Sequence, residues 1–307
     1  MDVRKVRIRS LAKVNLDLRV LHKRPDGYHE LQTVFQTISL ADRLTIAYSP
    51  KAKSEVRISG MHDIPDNIVL RVVDALRKLT GFKGLLEFEI LKHIPMGGGL
   101  GGGSSNAAAA LLTIPVLAGL KVTSRQLHTI AENLGSDINF FLHGGTAIGL
   151  GRGTELYPLP DLATRQGSLV VPGIHVSTAE AYGGLNRTTE PVDGKPFEEC
   201  VWKIVNGDLS ACRNDFESSV YKKYPKLRRI HSTLTKAGAE FVRMSGSGSS
   251  IYAFFGEKNA GDSSILKYPT VHDFETVSRR QYQKLWWRQL REHIAGEIWP
   301  PPSRYAR

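Results

Sequence analysis

Six glycines in seven residues, Gly97-Gly98-Gly99-Leu100-Gly101-Gly102-Gly103, are the densest chemical signal in this chain. Ile94-Pro95-Met96 precede them, and Ser104-Ser105-Asn106 and an alanine and leucine run follow. Ordering so much glycine costs backbone entropy, which is offset when the main chain must approach a ligand closely. A strand, a glycine loop, a capping residue and then a helix aim unpaired N–H groups and the positive end of a helix dipole at one point. A phosphate chain is the natural occupant, so Pro95, Met96, Gly97 to Gly103, Ser104 and Ser105 form the candidate phosphate seat. Gly97, Gly99 and Gly102 fit GxGxxG, but no acidic residue stands about 20 positions on to hold a ribose. No Lys-Ser or Lys-Thr follows the loop, which excludes a Walker A motif, and HRD and DFG are absent.

Several elements must position this loop. Val14, Leu16, Leu18 and Val20 alternate along a strand, leaving Lys13, Asn15, Asp17 and Arg19 on the other face. Arg24-Pro25-Asp26-Gly27 is a turn, and strand character resumes from Leu31 to Ile46. Asp66-Asn67 offers an N-cap to a helix with Ile68, Val72, Ala75, Leu76 and Leu79 on one stripe and Gly81 at its end. Leu85 to Leu91 is a strand feeding the loop, and Pro115 is expected to kink or end the helix after it. A further helix spans Ser124 to Leu134, with Gly135 as its stop. Beyond Pro160 a strand from Leu169 to Val176 leads to Ser177-Thr178. A helical region follows Asn214 to Glu217, and the apolar runs Phe241 to Met244 and Ile251 to Phe255 flank Ser245-Gly246-Ser247-Gly248-Ser249-Ser250.

The chain has 307 residues, long enough for one large or two modest domains, with 41 Lys and Arg against 30 Asp and Glu for a net +11. With 41% hydrophobic and 23% charged residues it reads as an ordinary globular protein. No run approaches the ~20 apolar residues of a spanning helix, and MDVRKVRIRS lacks a signal peptide's apolar core. The expectation is a soluble, cytoplasmic protein with no membrane association. Cys200 and Cys212, without CxxC or paired histidine spacing, support neither a disulfide framework nor a structural zinc site. A basic balance suits nucleic acid, a membrane surface or phosphorylated small molecules, and composition does not choose among them.

Three short motifs in order, Ala12-Lys13-Val14-Asn15, Pro95 to Ser105 and Met244 to Ser250, resemble those of the GHMP kinase superfamily. Within it, the stretches AKVNLDLRV, RPDGYHELQTVFQTI, IPMGGGLGGGSSNAAAAL, LGSDINFFLHGG and VRMSGSGSS are similar to the members that act on a cytidine diphosphate ester of methylerythritol. The resemblance covers Leu11 to about Phe255. It implies an α+β fold of two domains, the first like ribosomal protein S5 domain 2 and the second ferredoxin-like, with the active site in the cleft between them. It also implies transfer of the γ-phosphoryl group of ATP to the ester's 2-hydroxyl, in the non-mevalonate route to isoprenoid precursors. Lys13 and Asp137 match the family's catalytic pair, although a strand lysine is more often solvated and an aspartate before a helix more often a cap. Tyr28 and His29 match the cytidine site, and Tyr182, after Ser177-Thr178, the opposing aromatic, so that two tyrosines would sandwich the base. Asn15, Thr178 and Gly246 fall on the substrate side and Asn67 near the adenine. The family uses Mg2+ with ATP. No dedicated metal cage is visible, and Ser104 or Ser105 could touch the metal through the nucleotide.

The expected boundaries are 1–162 for the ATP-binding and catalytic domain, 163–278 for the substrate-side domain and 279–307 for a basic aromatic tail. Asn139 stands where related sequences commonly have proline, and the region after Phe255 is short for the expected helix and strand. The tail holds Trp286, Trp287 and Trp299 and carries seven Lys or Arg against Glu292 and Glu297, almost half of the net surplus. It could pack on the body, pair with a second copy as a homodimer, or touch a surface. Packing on its own body fits the rarity of large exposed aromatic patches. Two other readings are a GHMP kinase for a different alcohol or phosphate, and a basic nucleic-acid-binding protein. The second lacks RNP, KH and zinc-finger signatures, so no nucleic acid is expected.

Overall fold

Gly27 takes a φ of 86° in the turn after Arg24 and folds β1 (Arg4–Lys23) back on β2 (His29–Ser49) as a long antiparallel pair. This computed structural model describes residues 3–50, 53–60, 67–185, 196–256 and 270–306. The pair anchors a sheet in which β3 (Glu55–Ser59), β4 (Leu85–Leu91), β2, β5 (Thr146–Gly151) and β6 (Glu155–Pro158) follow one another, with β1 on β2. The helices α1 (Ile68–Thr80), α2 (Gly102–Ala118), α3 (Ser124–Leu134) and α4 (Ile138–His143) share one core with it around Leu44, Ile46, Val72, Leu111 and Phe140. A second, antiparallel sheet runs β10 (Val271–Glu275), β7 (Gln166–Val170), β9 (Ile251–Phe255), β8 (Ala239–Met244). With it go α5 (Thr178–Gly183), α6 (Phe197–Val205), α7 (Phe216–Lys223) and α8 (Pro225–Lys236). The class is therefore α+β. Among the described residues no helix is long and apolar enough to cross a membrane.

Local signals explain the helix ends. Asn67 caps α1 by accepting from the Val69 N–H, and Gly81 closes it in the left-handed region at φ 67°; Asp66 lies outside the described residues. Its buried stripe is Val69, Val72, Val73 and Leu76, while Leu79, expected on that stripe, is exposed. Pro115 does not end α2, which continues to Ala118 and stops at Gly119. The proline forgoes one N–H bond, a loss tolerated in a helix buried all round. The expected strand Leu169 to Val176 stops at Val170, because Pro172 cannot continue a ladder. After Phe255 the chain does supply a further strand, β10, before α9 (Arg279–Leu290).

The side-chain parity of β1 differs from its sequence pattern. Asn15 pairs with Phe35 but Asp17 with Val34, so Leu16 is an extra residue that bulges the strand. Counting in twos past that point is off by one. Leu18 consequently shares the cleft face with Lys13 and Asn15, while Asp17 and Arg19, expected beside Lys13, turn to the opposite face. There Asp17 is fully buried, 2.8 Å from Arg19 Nε, and accepts from the Arg213 N–H. Burial outweighs the Arg19 charge and raises its carboxyl above the usual range. The two cysteines lie side by side as free thiols, sulfurs 3.7 Å apart, at this buried junction.

The tail packs on the body. Trp286 is 1% exposed and joins the first core with Tyr282 and Leu290.

Candidate active site

The glycine loop holds its shape by alternation: Gly97, Gly99 and Gly101 take φ of 68°, 75° and 70°. Each sits where an L side chain is strained. Gly101 is the N-cap of α2 and offers no side chain, so no side chain occupies the helix's first N–H groups. The loop is also pinned from both sides. The Lys13 N–H donates to the Leu100 carbonyl at 3.0 Å, and the Ser245 hydroxyl to the Gly99 carbonyl at 2.8 Å. A Cβ on Gly99 would stand 1.9 Å from the Ser245 oxygen. The loop and the late glycine turn thus meet back to back.

Lys13 is buried, contrary to the usual fate of a strand lysine. Its Nζ lies 2.7 Å from Asn15 Oδ1 and 3.4 Å from Asp137 Oδ2. Asn15 Oδ1 also accepts from the Gly246 N–H at 3.1 Å, and its amide donates to Thr33, whose hydroxyl donates to the Asp17 carbonyl. Every polar atom of Asn15 is thereby committed, which fixes the lysine. Asp137 precedes α4 without a side-chain capping bond, and its carboxylate is 30% exposed, open to a reactant.

A cavity of about 210 Å³ is lined by Lys13, Asn15, Gly99, Gly101, Asp137, Thr178, Tyr182 and Gly246 of the expected residues. Thr178 Oγ1 is 3.3 Å from Ser247 Oγ across it. The ring stacked on Tyr182 is His29, at 4.7 Å and 21°, while Tyr28 is exposed with the Arg152 guanidinium 4.8 Å above its ring. Tyr28 lies in the turn just before β2, whereas His29 is the strand's first residue. Burial, with a smaller contribution from the Asp137 carboxylate, pushes the Tyr182 hydroxyl up to about 12. Ser105 departs from expectation. Its hydroxyl is buried, donating to the Leu11 carbonyl and bonded to Ser10, so of the two serines only Ser104 keeps some exposure. Pro95 and the exposed Met96 belong to the approach to the loop, and Asn67 stands apart from the cavity at the start of α1. The Asn67 side-chain amide is buried without a protein partner among the described residues.

Sequence reasoning missed Arg152, Thr33, Ser247 and Asn214. Arg152 had a signal, an arginine between Gly151 and Gly153, both at positive φ in the β5–β6 turn. Asn214 bonds the Met244 and Gly246 carbonyls at 2.8 Å each and so holds the late turn against β1. Behind Asp137, Asn139 accepts from His128 Nδ1, which leaves His128 Nε2 to accept from His143 Nε2 at 2.9 Å. Burial, then the neighbouring His128 and Arg279, brings His143 down to about 4.

Residues 67–145 match the family model for the GHMP kinases N terminal domain and residues 205–267 that for the GHMP kinases C terminal domain. The 4-diphosphocytidyl-2-C-methyl-D-erythritol kinase of Solibacter usitatus (strain Ellin6076) is 48% identical over 98% of both chains. The chain belongs to the 4-diphosphocytidyl-2-C-methyl-D-erythritol kinase family. The family member from Geobacter sulfurreducens is 37% identical over 84% of this chain and 92% of its own. A crystal structure of 4-(cytidine 5'-diphospho)-2C-methyl-D-erythritol kinase superposes with a TM-score of 0.77 at 31% identity, covering 88% of this chain and 98% of that one. The protein is therefore a small-molecule kinase of GHMP fold, and Lys13 and Asp137 line one cavity.

Proposed function

We propose that this protein transfers the γ-phosphoryl group of ATP to the 2-hydroxyl of 4-(cytidine 5'-diphospho)-2-C-methyl-D-erythritol, and that Lys13 and Asp137 carry the transfer. The observation that supports these roles is the buried Lys13 ammonium 3.4 Å from a partly exposed Asp137 carboxylate, beside a glycine loop. Asp137 accepts the hydroxyl proton as the oxygen attacks. Lys13, held by Asn15, offsets the negative charge spreading over the transferred group. The loop's N–H groups and the first turn of α2 receive the triphosphate. His29, Tyr182, Thr178 and Gly246 line the cytidine and methylerythritol side, with Tyr28 and Arg152 at the mouth. Asn67, with its unpartnered amide, suits the adenine edge.

Mg2+ would come with the nucleotide, which supplies most of its ligands, and the Ser104 hydroxyl would be the protein oxygen to touch it. Its contribution would be to neutralise the β- and γ-phosphates. Residues 1–162 hold the nucleotide and the catalytic pair and 163–278 close the substrate side with Thr178, Tyr182 and Gly246, the division falling between β6 and β7, and the enzyme works in the cytoplasm. A coupled ADP-release assay on the cytidine ester, mevalonate and homoserine tests the reading. Turnover on the cytidine ester alone supports it; no activity there with turnover on another alcohol would replace it with a different GHMP kinase.

A further inference from the structure

The active site is built at the N-terminal ends of two helices, the glycine loop at α2 and Asp137 at α4. Their opposite ends matter as much, because the last four carbonyls of a helix lack intrahelical partners. In α4, only six residues long, two of the last carbonyls are taken by the tail. The Tyr282 hydroxyl donates to the Phe141 carbonyl at 2.5 Å and Trp299 Nε1 to the Leu142 carbonyl at 3.0 Å. In the last turn of α2 the Val116 carbonyl accepts from the Ser303 hydroxyl at 2.5 Å. One segment thus caps both helices from behind.

The packing around these bonds leaves little slack. Tyr282 is 2% exposed, and a Cβ on Gly144, which follows α4, would lie 2.4 Å from its ring. A Cβ on Gly119, which follows α2, would lie 2.8 Å from the Tyr305 carbonyl oxygen. The Arg4 guanidinium rests 3.7 Å from the Tyr305 ring centre and donates to the Leu117 carbonyl, tying the tail to the same helix end. Phe141 completes the path to the site. Its carbonyl takes the Tyr282 hydroxyl, and a Cβ on Gly101 would stand 2.8 Å from its ring. A displaced α4 would therefore move Asp137 and the floor under the phosphate loop together.

We propose that residues 279–306 are a brace for the catalytic helices, with Tyr282, Trp299 and Ser303 as positioning residues for the transfer. The inference rests on Asp137 being the base. It gives a role to the aromatic residues of the segment that the family motifs leave unexplained.

Tyr282→Phe and Ser303→Ala each remove one donor and almost no volume, and Trp299→Phe removes one donor and keeps an aromatic ring in its place. Folded sites are counted by circular dichroism and gel filtration, and ADP release is measured well below the unfolding temperature. Each variant should lower kcat per folded site about three- to tenfold, and the Tyr282→Phe/Trp299→Phe pair about 10²-fold. KM for the cytidine ester should stay within about twofold, because His29 and Tyr182 lie on β2 and α5. Lys284→Gln and Arg288→Gln, on the exposed face of α9, should leave kcat unchanged. Unchanged kcat with only a lower melting temperature would overturn the brace, as would a rise in that KM with kcat intact. Asp137→Asn in the same assay separates the two ideas. If it keeps turnover, the assignment of the base fails; if it loses turnover while the tail variants do not, the brace alone fails.

Discussion

Adding one methyl group at two positions of the same glycine loop should have opposite effects on stability. At Gly99 the φ is +75°, and the new Cβ would stand 1.9 Å from the Ser245 oxygen, where real Cβ contacts stay beyond 3.0 Å. The backbone must therefore yield by about 1 Å, a displacement that can cost ~10²-fold in rate when it moves reacting groups. The left-handed conformation adds about 1–2 kcal/mol, and losing the Ser245 to Gly99 hydrogen bond about 1 kcal/mol. Gly99→Ala should thus lose about 2–3 kcal/mol of stability and about 10²-fold in kcat. At Gly103, already within α2, a Cβ meets nothing within 4 Å and φ is ordinary. Gly103→Ala removes only the helix penalty of glycine and should gain about 0.5–1 kcal/mol. Urea denaturation without ligand reads both stabilities, and ADP release reads the turnover of Gly99→Ala. Equal urea midpoints for the two variants, or near-wild-type turnover in Gly99→Ala, would refute the back-to-back docking of the two glycine motifs.

Asp137→Asn should cut turnover by about 10² to 10⁴ with ATP binding largely kept, as measured by ADP release and nucleotide titration; wild-type turnover would remove Asp137 as base. Tyr182→Ala should raise KM for the cytidine ester and spare that for ATP, because Tyr182 lines the substrate end of the cavity, and equal rises in both would count against the assignment. His143 is held near 4 against an ordinary 6.5, so the unfolded chain binds the extra proton and stability falls as pH drops through that window. Urea midpoints should show about 2 kcal/mol lost between pH 7 and pH 5, a slope that His143→Asn should flatten.

The geometry of the glycine loop and of the helix ends near it was legible in sequence because its signals are local. Glycine density, the Asn67 cap and the Gly81 and Gly135 stops act within a few residues, and the structure places each where its chemistry requires. The substrate side was less so. Tyr28 and His29 are neighbours in sequence, yet Tyr28 lies under Arg152 in the turn before β2, and only the approach of α5 decides that His29 meets Tyr182. Ser104 and Ser105 read alike until α2 is seen to turn one hydroxyl into β1.

By itself the sequence determined which groups the protein owns and their order along the chain: a strand lysine, a glycine loop, an aspartate before a short helix and a late glycine turn. Tertiary structure decided which of them touch. The bulge at Leu16 sends Asp17 and Arg19 away from the Lys13 face, because side-chain parity counts residues and one extra residue reverses it. Asn15 meets Gly246 across 231 positions, and Tyr282 meets Phe141 across 141. Periodicity records only which face a side chain takes on its own element, whereas these contacts depend on how separate elements close over one another.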